Sequence, residues 1–234
     1  MAAGEMVRLG AMKKKTEAED AAEKGWAQPA YQERSRRQRD RLLKAGERVF
    51  ADSGFWQAHV ADIAKRAGCS VGSFYRRFRD KEAFFFALQA DMADRAEANI
   101  AKFFDDPACR TEPLIEVFQR LTRNSARTMK GIEGYYRALF ELSLRGQDVW
   151  PLMRRLEVIE AGLVVDLLKA RGVAVDARKQ DAAHLAIRMM HGQIISTLLH
   201  GPGPFAADDR RLHEELGLML VRYLGLEESA ADAG

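Results

Sequence analysis

One stretch limits the folds open to this chain more than any other: Val60 to Phe84, VADIAKRAGCSVGSFYRRFRDKEAF. It reads as a short helix, a three-residue turn, a second short helix, a tight break and the start of a longer helix. Ala61, Ile63, Ala64 and Ala67 place small or apolar groups on the inner side of the first of these. Gly68 can take the left-handed conformation that ends it. Ser70 is a good N-cap for a helix over about 71–78. Asp80 is another for the helix that follows, with Lys81 and Glu82 in its first turn. Two helices joined by so short a glycine-containing turn form a helix-turn-helix. The second carries Gly72 and Ser73 at its start and Tyr75, Arg76 and Arg77 further along. That suits a helix entering the DNA major groove N-terminus first.

The charge distribution agrees. The formal net charge is only +3, yet residues 31–81 hold thirteen Lys/Arg against six Asp/Glu, leaving the rest of the 234-residue chain at −4. A basic N-terminal third on a mildly acidic body is the electrostatic footprint of a nucleic-acid-binding module. Five arginines, Arg34, Arg36, Arg37, Arg39 and Arg41, crowd the first turns of a helix expected over about 32–53, which carries the stripe Leu42, Ala45, Val49 and Phe50 and stops at Gly54. They are either a minor-groove or backbone-binding arm or a solvated helix start. Phe55 should tuck back onto the three-helix core.

From Leu42 to Phe84 the chain resembles the DNA-binding domain of the TetR family of repressors. The matching residues are Phe50, Gly54-Phe55, Val60, Asp62-Ile63-Ala64, Ala67-Gly68, Ser70, Gly72-Ser73, Tyr75, Phe78 and Lys81-Glu82-Ala83-Phe84. The resemblance implies that Val71, Gly72 and Ser73 face base edges, with Ser70, Tyr75 and Lys81 on phosphates. Arg76 and Arg77 extend the same surface. Phosphate contacts of this kind set register while base edges carry sequence. Two positions depart from the family's pattern. His59 stands where Thr or Ser usually caps the first helix of the motif; it can still meet a phosphate, but the cap is weakened. Gly46 replaces a usual Ala, a change worth up to about 1 kcal/mol of helix stability.

The resemblance also implies the architecture: all-α, about nine helices, with a DNA-binding domain over 31–82 and a ligand-binding and dimerisation domain over 83–228; residues 1–30, polar, charged and without sustained periodicity, read as a flexible extension. The sequence after Asp80 is helical in pattern throughout. Phe84, Phe85 and Phe86 cannot share one helix face, so the helix they open is the natural mechanical link between module and body. In the family the last two helices pair across a two-fold axis. Here they offer the stripes Ile187, Met190, His191, Ile194, Leu198 and Leu212, Leu216, Met219, Leu220, Tyr223, with Gly192 permitting close approach. The alternative is that both stripes complete the monomer core. Candidate walls of an effector pocket are Phe118, Leu121, Tyr136, Phe140, Trp150, Leu167 and Met189, which lean toward a lipophilic or aromatic ligand. Arg188 would meet an anionic ligand or an acid across the dimer.

Other chemistry has no foothold. His184 and His191 are seven apart, not the four of an adjacent-turn metal pair, and no GxSxG, Walker or GxGxxG motif is present. Cys69 and Cys109 make no disulfide framework. No apolar run approaches the length of a membrane span or of a signal peptide. The expectation is a cytoplasmic, non-enzymatic, cofactor-free homodimer: a repressor released from a palindromic operator by a small molecule. The alternative is a ligand-independent, chromosome-organising DNA binder.

Overall fold

The structure, a computed structural model, describes residues 29–201 and 203–226. The expectation for the N-terminal extension before residue 29 lies outside the described residues. These residues form ten helices and no strand: α1 (Pro29–Gln57), α2 (Val60–Arg66), α3 (Val71–Tyr75), α4 (Lys81–Asp105), α5 (Ala108–Thr111), α6 (Leu114–Gly131), α7 (Glu133–Ser143), α8 (Pro151–Ala170), α9 (Ala177–His200) and α10 (Arg210–Tyr223). The helix not expected is α5, one turn after the break at Pro107, whose N-terminus is held by Ala108 N–H donating to Asp106 Oδ1 at 3.0 Å.

The chain divides into two compact units. Residues 29–49 and 57–91 form the first; residues 50–56 and 92–226 form the second. The boundary thus falls inside α4, nine residues beyond the 82/83 division read from the sequence.

In the first unit the core is aromatic. Phe74, Phe78 and Phe84 meet with ring centroids 4.8–5.4 Å apart, and Leu42, Ile63 and Ala64 are buried with them. Aromatic rings in these tilted and edge-on arrangements add to simple area burial. Ala61, in contrast, is exposed. Gly46 has a positive reason here: a Cβ on it would lie 2.3 Å from the Phe84 ring. The residue that lowers helix propensity is the one that admits the ring.

Gly54, with φ 68° and ψ −174°, breaks the regular course of α1 as expected of it, but the helix resumes to Gln57. Phe55 is buried; within the second unit it stacks on Phe50 at 5.8 Å, and its N–H donates to Glu141 Oε2 at 3.0 Å.

The second unit is organised around α9, which touches α6, α7, α8 and α10, while α6 packs along α10. Thr122 Oγ1 donates to the His213 carbonyl at 2.9 Å across the α6–α10 seam. At the other end Cys109, Val117 and Leu167 form a buried cluster. Arg120 clamps it, reaching Asp106 at 2.8 Å and Glu112 at 3.0 Å.

The stripes proposed for dimer contacts turn inward. Ile187, Ile194 and Leu220 are fully buried within the single chain, and His191, Leu198 and Leu216 are at most 9% exposed. Apolar residues at 3–4 spacing mark the face a helix buries first, and that face is consumed by the monomer core. Of the residues named for the interface, only Tyr223 lies open, 44% exposed. Gly192 has nothing near its missing side chain in the chain.

Candidate nucleic-acid interface

The helix-turn-helix is built as its sequence dictates. Ala67 N–H bonds to Ile63 O at 2.9 Å, and Gly68, at φ 67°, turns the chain. Ser70 caps α3 by accepting from Ser73 N–H at 3.2 Å. After Tyr75 the backbone keeps its turn-like bonds through Phe78, so the segment read as a helix over 71–78 is a five-residue helix with a turn attached. Asp80 caps α4, accepting from Ala83 N–H at 2.7 Å. That bond and the neighbouring Arg79 hold its carboxyl below the usual range. His59 occupies the N-cap position of α2 in extended conformation with no side-chain cap bond, and it is exposed.

Phe74, wholly buried, pins α3 to the core and sets which side faces out. Outward lie Ser70, Val71, Gly72, Tyr75 and Arg76. Val71 and Tyr75 are large apolar side chains left 41% and 53% exposed in a basic setting.

Three residues of the expected contact set also bond within the protein itself. Ser73 is only 9% exposed; its hydroxyl lies 3.0 Å from Ser70 Oγ and accepts from Arg76 Nη2 at 2.6 Å. Arg77 donates to Ser35 Oγ at 2.8 Å and Gln38 Oε1 at 2.9 Å, tying the end of the recognition segment to α1. Lys81 Nζ donates to the Ala58 carbonyl at 2.9 Å, just ahead of the α2 cap.

The second unit holds a groove of about 510 Å³ whose walls include Phe140, Trp150, Met153, Glu157, Arg188 and His200. Phe140 and Trp150 meet edge-on at 5.0 Å, and the indole N–H donates to Ser143 Oγ at 2.8 Å. Of the seven pocket residues named from sequence, these two line the groove. Phe118, Leu121, Tyr136 and Leu167 are packed core, and Met189 points outward, 40% exposed. They were chosen for apolar bulk, which core and cavity walls share.

The sequence reading missed a buried ion pair. Glu160 Oε2 lies 3.0 Å from His191 Nε2, with both side chains at most 7% exposed. Glu160 Oε1 and His191 Nδ1 have no partner. Burial alone lowers the His191 pKa, but Glu160, with Glu157 behind it, overcomes this and the net shift is upward. Burial, with the same two carboxylates, raises the Tyr136 phenol. A signal existed: Glu160 sits at a core position of the Leu156, Val164, Leu168 stripe, as His191 does between Ile187 and Ile194. Two polar residues in core register call for each other.

Residues 42–88 match the family described as bacterial regulatory proteins, tetR family. Over 57 residues the chain is 46% identical to the HTH-type transcriptional regulator YdgC of Bacillus subtilis (24% of this chain, 29% of that protein). Over 60 residues it is 37% identical to the HTH-type transcriptional repressor Rv1474c of Mycobacterium tuberculosis (26% and 32%). These matches span about a third of the relatives' own length. The structure is similar to that of a tetR-family transcriptional regulator from Streptomyces coelicolor, with a TM-score of 0.64 at 16% identity, covering 81% of each chain. Residues 42–88 thus match the DNA-binding domain of the tetR family of bacterial regulatory proteins, and the whole chain shares the fold of its solved members.

Proposed function

We propose that this chain is a sequence-specific DNA-binding transcriptional regulator, a repressor released from a palindromic operator by a small-molecule effector. The observation that carries this is the exposed side of α3, where Val71, Gly72, Tyr75 and Arg76 project from a helix anchored by Phe74. Val71 and Gly72 meet base edges; Arg76 reads a base or a phosphate; His59, Ser70, Tyr75 and Lys81 hold the flanking backbone. Ser73 and Arg77 act one step back, steering Arg76 and fixing α1. Relatives of the helix-turn-helix that carry the word repressor in their names favour this reading over a ligand-independent DNA organiser.

The effector site is the groove beside Phe140 and Trp150. Its apolar wall takes a lipophilic or aromatic ligand. Dimerisation uses the outer face of α9, where Leu185 and Met189 are 47% and 40% exposed, together with Tyr223 of α10. Two copies then read half-sites about one helical turn apart.

The test selects duplexes from a random library with the full chain and titrates the winner with and without pooled lipophilic small molecules. A pseudo-palindromic winner whose affinity drops on adding a ligand is expected. Selection of no preferred sequence would sink the reading; selection without release by any ligand would leave only the DNA-binding half standing.

A further inference from the structure

We propose that α1 is a second DNA-contacting element: the basic stripe Arg34, Arg37, Arg41, Lys44 and Arg48 lies along the phosphate backbone beside the site read by α3. This rests on the DNA-binding reading above. The family match begins at residue 42, so the first turns of α1, from Pro29, lie ahead of it.

The five residues are spaced three, four, three and four apart, so a helix at about 100° per residue stacks them on one side. All five are exposed. The fourteen steps from Arg34 to Arg48 rise about 21 Å along the helix, or roughly six base pairs of duplex. Between Arg34 and Arg48 no acid falls on this face: Glu33, Asp40 and Glu47 recur every seven residues on a neighbouring one, and Asp52 joins it only one turn beyond Arg48. Arg37 pairs with Glu33; among the described residues Arg34, Arg41, Lys44 and Arg48 have no ion-pair partner.

Two contacts orient the stripe. Arg77, just past α3, grips Ser35 and Gln38, which fixes these turns of α1 beside the end of the recognition segment. Arg39, on the side of α1 opposite the stripe, reaches Asp91 of α4 at 3.8 Å. The stripe therefore looks away from α4, on a helix whose Ser35 and Gln38 are tied to the segment just past α3. A polyanion is the partner its charge fits, and guanidinium groups match phosphate oxygens with two hydrogen bonds each. An anionic membrane surface fits poorly. A helix lying in a bilayer interface needs a free apolar face, whereas Leu42, Ala45 and Val49 are already buried in the core.

The experiment measures affinity of the full chain for its selected duplex and for an unrelated duplex from low to high salt. Wild type is compared with the triple variant Arg34→Gln, Arg41→Gln, Arg48→Gln and with its Lys counterpart. Glutamine keeps helix propensity, and circular dichroism checks the helix content of each. Each phosphate contact removed should flatten the slope of log K against log salt by about 0.9. The Gln triple should lose about 2 to 3 in slope and weaken on both duplexes by the same factor, with base preference unchanged and the Lys triple close to wild type. An unchanged slope in the Gln triple would overturn the proposal, as would loss confined to binding of phosphatidylglycerol vesicles. Failure of wild type to prefer its selected duplex would instead strike the underlying DNA-binding reading.

Discussion

Ser73 of α3 and Arg76 just past its end sit one turn apart, and the hydroxyl that seemed free to read a base is bonded to the guanidinium at 2.6 Å. A short polar side chain on a thin recognition helix can act through its neighbour as readily as directly. Ser73→Ala should therefore loosen Arg76 and reduce discrimination between operator and single-mismatch duplexes by about 1 kcal/mol, within the range of a base contact. Arg76→Ala should do the same, and the double variant should lose no more than Arg76→Ala alone. Additive losses in that double-mutant cycle would separate the two residues. Glu160 and His191 present the same logic inside the core. Glu160→Ala leaves a buried, unpaired imidazole and should destabilise the fold by about 3–5 kcal/mol in denaturant titration. The pH dependence follows from the direction of the His191 shift. Because its folded pKa is raised, its contribution is fully present below about pH 6.5. It is lost as pH rises through the raised value. The melting temperature of wild type should decline over that window, and His191→Phe should flatten the decline. A decline unchanged in His191→Phe would assign the proton to another group.

Helices are where composition and packing disagree most usefully. Propensity scales say Gly46→Ala should stabilise α1 by up to about 1 kcal/mol. The Phe84 ring, 2.3 Å from where that methyl would be, says the reverse, since overpacking typically costs about 1–3 kcal/mol. The packing effect is larger and opposite in sign, so the variant should melt lower. A higher melting temperature would show that Phe84 swings aside cheaply. The same contrast governs α9. Its strongest apolar stripe was offered to a partner subunit, but a helix fills its own core first. What remains outside is the weaker face with Leu185 and Met189. Its strength as an interface is tested by Leu185→Asp with Met189→Asp. This pair should shift sedimentation from dimer to monomer without loss of helix content; an unshifted dimer would move the interface elsewhere.

At the scale of the molecule, an effector acts on DNA affinity only through a difference in its binding free energy between two states. Chain continuity supplies a physical route. α4 begins in the first unit at Lys81 and ends in the second at Asp105. Residues 50–56 of α1 likewise belong to the second unit although most of α1 belongs to the first. Both units therefore draw residues from the same two helices, and in the proposed reading these are the segments through which a ligand in the groove beside Trp150 would act on the recognition segment.

The DNA-binding module was legible from the sequence because its information is local. Caps at Ser70 and Asp80 and the turn at Gly68 depend on residues a few positions apart. A spacing of this kind survives without knowledge of the rest of the chain. The order and approximate limits of the body's helices were legible for the same reason. What only the tertiary structure decided are the matters set by distant neighbours: that Arg77 holds α1, that Gly46 makes room for Phe84, that Glu160 meets His191 from another helix, and which apolar residues wall the groove. Hydrophobicity marks a residue for burial but does not say against what. That choice is made by the packing of whole helices, where one side chain's value depends on elements far away in the chain.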